Sequence, residues 1–316
     1  MDHTIWTIVT AAVDRALLMI PHRGRRPTFP DRLIILMVLW IGWHDRCLSW
    51  ACDRSHYGAL FRPRHLPSIS QFSRRVKGDR IQLVLQRVHE DLCVRGTSCP
   101  YDLLSYIDGK AVVVSPVSKD PDARRGRVSG GFAKGYKLHG LINEHRRVVI
   151  WCLAPLNTDE KLVAAELITH LPLSFSGSDA PAGIALQAPL TLGDSSYDSA
   201  NLHRTFASCG RHLLTPLRGL QFVGPDGRSK KTLSHMGPRR REVVESWDHS
   251  PDLVQYIMNS RNNAEGTFSV LSLACGLDRL PGFVRRLPRV RRWVGCKLIL
   301  YHARLLAQEP KKSAAA

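Results

Sequence analysis

Features that mark membrane and secreted proteins are missing from this 316-residue sequence. The longest apolar run, Leu33 to Trp43, is about half of the roughly 20 residues that a bilayer-spanning helix needs. The N-terminal segment contains Asp2 and Asp14 and has no basic stretch before its apolar residues, which is unlike a secretory signal peptide. We therefore expect a cytoplasmic protein that has no membrane partner.

The sequence also lacks a Cys-x-x-Cys pair, although it has eight cysteines. Cys47, Cys52 and His56 are close enough in sequence to suggest zinc, but a fourth ligand at a familiar spacing is missing. The cysteines are scattered through apolar or mixed segments. We expect them to be buried free thiols in a reducing compartment.

Acidic residues are few compared with basic ones. Asp and Glu together number 27 against 45 Lys and Arg, which gives a formal net charge of +18. Such an excess favours a polyanionic partner, because each phosphate that a basic side chain neutralises releases counterions. An anionic membrane surface would attract the same charge, but nothing else in the sequence supports it. Double-stranded DNA is the expected partner, and the chain is expected near the nucleoid.

Residues 1–98 have the apolar spacing and breaks of several helices. Asp31 is predicted to cap one of them, and Ser68 with Gln71 fits a capping box at the start of another. That second helix is short and basic, and it suits either a recognition helix in a helix-turn-helix module or a solvated surface helix. Its candidate DNA contacts are Arg74, Arg75 and Lys77. We predict that residues 1–98 form a helical DNA-binding region.

Residues 99–316 alternate between strand-like and helix-like patterns, which predicts a mixed α/β domain. Residues 219–250 are turn-rich and basic, so a DNA-contacting loop or insertion is expected there. Its candidate contacts are Arg239, Arg240 and Arg241. Asp198 is predicted to cap the helix that follows the strand ending near Asp194.

Three acidic residues lie in or beside apolar segments, where burying an unpaired charge would be costly. Asp108 has apolar neighbours within a predicted strand, Asp194 ends a later strand, and Glu265 lies on a helix with apolar positions. Carboxylates on two strands and a helix can converge on one side of a mixed sheet. Oxygen ligands of this kind suit two Mg²⁺ or Mn²⁺ ions, which can drive an in-line displacement at a phosphodiester.

Four stretches in this order resemble the DDE-type transposases of bacterial insertion sequences. They are "YIDGKAVVV", "FAKGYKLHGLINEHRRVV" with "APLNTDEK" after it, "LTLGDSSYDSANLHR", and "RNNAEGTFSVL". The resemblance covers roughly residues 100–300 and rests on the combined order and spacing. It implies a ribonuclease H-like mixed sheet flanked by helices, and a transposase that cleaves and joins DNA at the ends of a transposable element. Asp108, Asp194 and Glu265 would be its catalytic metal ligands.

Other basic residues near these segments are candidates for contacts with DNA. Arg261 is predicted to be helical, one turn before Glu265, where it would orient that carboxylate or hold a phosphate. Lys110, Lys137 and His139 lie in or beside the same sheet. Relatives often carry Tyr and Lys at the positions of Met258 and Ser272, which removes one expected contact with the DNA backbone.

Two further functions remain open at this point. A domesticated metal-dependent nuclease would cleave DNA without joining strands, and a regulator would bind DNA without catalysis. The three carboxylates argue against the regulator, because a pure binder gains nothing from negative charge beside a phosphate. A homodimer on DNA is the expected assembly.

Overall fold

The computed structural model describes residues 2–22, 24, 27–95, 102–169, 188–216 and 237–309. It contains two compact units. The first comprises the described parts of residues 1–98, 114–122 and 270–316, and the second those of 99–113 and 123–269. The assignment of residues 1–98 to DNA binding and of residues 99–316 to catalysis remains a prediction. In the described ranges, no helix is long and apolar enough to cross a membrane.

The first unit is a helical bundle. Its helices are α1 (His3–Met19), α2 (Asp31–His44), α3 (Ile69–Val76), α4 (Asp79–Arg95) and α10 (Leu287–Gln308). Helix α10 packs against α1, α2 and α4, so the far end of the chain supplies part of the core. Asp120 and Asp122 accept hydrogen bonds from the backbone N–H groups of Arg286 and Leu287 at 3.0 and 2.8 Å. These bonds satisfy donors at the start of α10.

The helix ends of this unit partly follow the sequence. Helix α3 begins with the predicted capping box, in which Ser68 Oγ accepts from the Gln71 N–H and the Gln71 side chain accepts from the Ser68 N–H. The prediction for Asp31 is wrong, because Pro30 is the N-cap and Asp31 is the first helical residue. The buried Asp31 carboxylate instead forms ion pairs with Arg75 and Arg80. These pairs tie α2 to α3 and α4.

The second unit is built on a six-stranded mixed sheet. Its strands are β1 (Leu104–Val113), β2 (Arg124–Val128), β3 (Gly131–Asn143), β4 (Val148–Pro155), β5 (Leu190–Leu192) and β6 (His212–Leu214). The order is β2-β3-β1-β5-β6, and β4 pairs with β3 on the same edge as β2. Strands β1 to β4 pair antiparallel, whereas β5 and β6 are parallel to β1. The predicted mixed sheet flanked by helices, with a helical N-terminal region, is confirmed.

Helices cover this sheet. They are α5 (Glu160–Thr169), α6 (Ala200–Ser208), α7 (Pro238–His249), α8 (Pro251–Asn259) and the first part of α9 (Asn262–Cys275). Helices α5 and α6 bury Ile168 and Phe206 in a cluster that includes Ile107 and Leu141 of the sheet. Burying side chains of this size contributes about 1.5–3 kcal/mol each. This cluster holds the two central strands in place.

The expected basic loop at residues 219–250 is only partly within the described residues, because residues 219–236 lie outside them. The prediction of a loop is wrong for Pro238–His249, which is helix α7. Pro238 occupies the first turn after Gly237, the N-cap. Proline is favourable there because its fixed φ suits a helix and its missing N–H removes no helical hydrogen bond.

Candidate active site

The register of the sheet places Asp108 beside Asp194. Strand β1 pairs with β5 in parallel, with Leu104 opposite Leu190 and Tyr106 opposite Leu192. Continuing this pairing by two residues brings Asp108 level with Asp194, which follows the end of β5. Neighbouring strands are about 4.8 Å apart, and side chains two residues apart share a face. The two carboxylates are therefore expected side by side, on the same face of the sheet and at the same end of β1 and β5.

Asp194 has a local role as well. It is the N-cap of a 3-10 turn at Ser195–Tyr197, where its Oδ1 accepts from the backbone N–H of Ser196 at 2.8 Å. The predicted cap at Asp198 is wrong, because Ser199 caps α6 through a bond from the Leu202 N–H. Asp198 is instead fully buried in its side chain and paired with Arg240 at 2.7 and 2.6 Å.

Helix α9 packs on the face of the sheet that carries Asp108. Gly140 is the register partner of Asp108. A Cβ atom there would lie 3.1 Å from a Val148 methyl carbon and 3.7 Å from the ring of Phe268 on α9. Asn263 of α9 also donates a hydrogen bond to the Tyr106 hydroxyl at 3.3 Å. These contacts set α9, and with it Glu265, over the face of the sheet that carries Asp108.

Arg261 links two of the three predicted metal ligands. Its guanidinium lies 3.8 Å from Asp108 Oδ2 and 3.0 Å from Glu265 Oε1. Arg261 was predicted to be helical, but it lies in the turn between α8 and α9, just before Asn262. Arg261 still pairs with Glu265, four residues later, although Arg261 lies just before the helix. One cationic group therefore sits where the negative charges of Asp108 and Glu265 meet.

Asp108 has an unusual pKa. The pKa of its carboxyl is raised to about 6, chiefly by burial and to a smaller extent by the charge of Asp194. A hydrogen bond from the Gly109 N–H and the charges of Arg261 and Lys137 act in the opposite direction. Desolvation of the charged form is the largest cause. A carboxylate in this condition gains strongly from a neighbouring cation.

A chain of polar contacts supports Asp194 from its other side. The Ser196 hydroxyl, which has one hydrogen to donate, lies within hydrogen-bond distance of both Asp194 Oδ1 and Glu160 Oε2, the latter at 3.1 Å. Glu160, at the start of α5, accepts from the ammonium of Lys137. In the sequence, Glu160 stands out only as an acidic residue at a helix start after a strand, which is also an ordinary way to complement the helix dipole.

Two of the predicted DNA contacts lie on the other face of the sheet. Lys137 and His139 pair with Ala111 and Gly109, which alternate with Asp108. Burial lowers the pKa of His139 to about 3, and the charge of Lys137 adds to this effect. Neither ring nitrogen of His139 has a hydrogen-bond partner among the described residues. His139 is therefore a buried neutral ring, and Lys137 is a partner of Glu160.

The other candidate contacts differ in what surrounds them. Arg75 is paired with Asp31 and also donates to the Phe29 carbonyl oxygen, whereas Arg74 and Lys77 are exposed on the same small helix and its end. Arg239 pairs with Glu242 at the surface, at 2.9 Å. Arg241 is exposed, and Lys110 lies on the face of β1 that carries Asp108.

The two departures from the resemblance fall on buried positions. Met258 and Ser272 are each 7% exposed, whereas Tyr256 is 77% exposed. Ser272 is therefore a buried position of α9 in this chain, and Tyr256 is an exposed position of α8.

Comparisons with known proteins place the chain in a family. No curated protein matches it. A solved structure, the cryo-EM structure of piggyBac transposase synaptic complex with hairpin DNA, matches with a TM-score of 0.44 and 10% sequence identity, covering 96% of this chain and 72% of that chain. A likeness at that level supports no conclusion by itself. The family model described as "Transposase DDE domain" matches residues 102–301, which is more than half of the sequence and includes Asp108, Asp194 and Glu265. The chain belongs to the transposase DDE domain family.

Proposed function

We propose that this transposase cleaves and joins DNA phosphodiester bonds at the ends of a transposable element, with Asp108, Asp194 and Glu265 as metal ligands. The observation that carries the proposal is the register, which brings Asp108 level with Asp194 on adjacent parallel strands. Glu265 is joined to Asp108 through Arg261. Asp108 lies on β1, Asp194 follows β5 and Glu265 lies on α9, and the ligand atoms of the three are not all within 4.8 Å of one another in the protein alone. We propose that bound cations draw them together.

The residues fit hard divalent cations. Mg²⁺ and Mn²⁺ prefer carboxylate oxygen, phosphate oxygen and water as ligands. The raised pKa of Asp108 shows that its charged form is under-stabilised in the protein alone. Two divalent ions held by the three carboxylates would activate the attacking hydroxyl and stabilise the leaving oxygen.

The surrounding residues have separable roles in this proposal. Ser196 and Glu160 fix the Asp194 carboxylate, and Lys137 balances the charge of Glu160. Arg261 holds Asp108 and Glu265 in the protein alone and is placed to bind a substrate phosphate once cations neutralise those carboxylates. Lys110 lies on the face of β1 that carries Asp108, where it can contact the DNA backbone.

Binding to DNA would depend on the exposed basic side chains. The net charge of +18 supplies sequence-independent attraction for the phosphate backbone. Arg74 and Lys77 on the first unit and Arg239 and Arg241 on α7 are the proposed contacts. We propose double-stranded DNA as the substrate and a homodimer on it as the active assembly, acting in the cytoplasm near the nucleoid.

The test is a plasmid excision and strand-transfer assay beside a DNA-binding assay. Asp108→Asn, Asp194→Asn and Glu265→Gln should each lower cleavage and joining by orders of magnitude, since a charged ligand is lost, while binding persists. Glu245→Gln, an exposed carboxylate of α7, is the matched control and should excise like the wild type. Activity should require Mg²⁺ or Mn²⁺.

The outcomes separate the alternatives. Excision at the wild-type rate by Asp194→Asn would show that the assignment is wrong. Cleavage without joining by the wild type would identify a domesticated nuclease, and binding without cleavage would identify a regulator.

A further inference from the structure

A cluster of metal-ligating side chains lies inside the helical unit, among residues that the proposed catalysis does not use. His89 and Cys93 are on α4, one helical turn apart, and His302 is on α10. Each offers a ligand atom, and these atoms all lie within 4.8 Å of one another. The three residues are 6%, 3% and 0% exposed. Such a gathering on two packed helices is not required by the hydrophobic core around it.

The distances suit a common metal ion. Cys93 Sγ lies 3.3 Å from His302 Nδ1 and 3.9 Å from His89 Nε2. With zinc–sulfur and zinc–nitrogen bonds of about 2.3 and 2.0 Å at a tetrahedral angle, the sulfur and nitrogen atoms are about 3.5 Å apart. The two imidazole rings, 4.9 Å between centroids, are also close enough to share an ion.

The chemistry of the set selects the ion. One thiolate and two imidazoles favour Zn²⁺ or Cu⁺ and disfavour the hard Mg²⁺ of the proposed catalytic site. With three protein ligands, Zn²⁺ would keep its fourth position open for a water molecule, unlike structural zinc sites closed by four protein ligands. The zinc ligands considered from the sequence, Cys47, Cys52 and His56, do not form such a site among the described residues. Cys47 contacts Ser49 Oγ at 3.0 Å, and His56 contacts the Trp50 carbonyl oxygen at 2.7 Å.

We propose that His89, Cys93 and His302 bind one thiophilic transition-metal ion that joins α4 to α10. The ion would bridge residues that are more than 200 positions apart in the chain. Because the ligands come together only in the folded unit, binding would stabilise that unit.

The experiment is a titration of the purified, reduced full-length chain, freed of metal, with Co²⁺ as a spectroscopic probe for Zn²⁺. Wild type should bind one Co²⁺ at this cluster and show a thiolate-to-cobalt charge-transfer band. Zn²⁺ should displace the Co²⁺, and a large excess of Mg²⁺ should not. At an ion concentration of about 100 times Kd, the folded-to-unfolded ratio should rise about 100-fold. A parallel anaerobic titration with Cu⁺ ranks the two candidate ions.

Matched variants locate the site. Cys93→Ala should lose the band and the stabilisation. Cys296→Ala should keep both, because Cys296 is equally buried in α10 but donates its thiol hydrogen to the Val38 carbonyl oxygen. His302→Gln should keep the thiolate and lower the affinity at least 10-fold.

The wild-type titration alone can overturn the proposal. If the wild type shows no thiolate band with Co²⁺ and binds no Cu⁺, the cluster is a set of buried side chains and not a metal site. A band that persists in Cys93→Ala would place the ion at another cysteine and would equally refute the assignment.

Discussion

Asp108→Asn should make the protein more stable at alkaline pH while abolishing catalysis. The carboxyl is mostly buried, with a side-chain exposure of 17%, and burial raises its pKa from 3.8 to about 6. Because the folded pKa lies above the unfolded one, the wild type keeps the most favourable contribution below pH 4. That contribution is lost as the pH rises through about 6. The amide has no such dependence.

The size of the effect follows from the shift. About two pKa units correspond to about 3 kcal/mol between strongly acidic and alkaline solution. This shift already includes the opposing attraction of Arg261, 3.8 Å away. The difference in unfolding free energy between variant and wild type should be larger at pH 8 than at pH 5 by about 1.5 kcal/mol.

The assay is urea unfolding at both pH values without divalent ions, with Glu245→Gln as the control that shows no such difference. Adding Mg²⁺ at pH 8 should stabilise the wild type more than Asp108→Asn, because the ion then offsets the buried charge. Equal differences at pH 5 and pH 8 would refute the reasoning, since they would mean that Asp108 carries no desolvation cost.

Glu160→Gln should lower excision and leave DNA binding unchanged, because it weakens the contacts that hold the Asp194 carboxylate through Ser196. The rate of strand transfer at saturating Mg²⁺ measures this effect. A wild-type rate would show that Glu160 is not part of the site. Arg240→Ala should destabilise the fold by about 3 kcal/mol in thermal or urea unfolding, since it removes the arginine that pairs with a buried carboxylate. Arg241→Ala, which truncates an exposed side chain, should cost much less stability and should reduce the salt dependence of DNA binding; equal losses of stability in the two variants would contradict the difference in their burial. Arg74→Ala with Lys77→Ala should weaken recognition of the element ends in a mobility-shift assay, and unaltered selection of those ends would exclude α3 as the recognition helix.

The sequence predicted that Asp108 and Asp194 lie close together. The register of β1 and β5 agrees, because these two aspartates are separated by the same number of residues as the paired positions Leu104 and Leu190. Their role as metal ligands stays a prediction. The capping box of α3 was also predictable, because its two residues are three positions apart and interact locally.

The rest depended on partners distant in the chain. The pairing of Asp198 with Arg240 and that of Asp31 with Arg75 are invisible to local patterns, and so both aspartates were mistaken for caps. The role of Glu160 rests on Ser196 and on Lys137, which come from different elements. Long-range ion pairs of this kind follow from the fold and do not reveal themselves by spacing.

The packing of α10 into the N-terminal helices has a consequence during protein synthesis. About 190 residues separate the end of α4 from the start of α10. At a translation rate of about 5–20 residues per second, the ribosome needs roughly 10–40 s to make them. During that interval, the apolar faces that α10 later covers stay open to water or to chaperones. The helical unit is therefore completed only after the catalytic sheet has been synthesised, so a nascent chain acquires its finished N-terminal helices last.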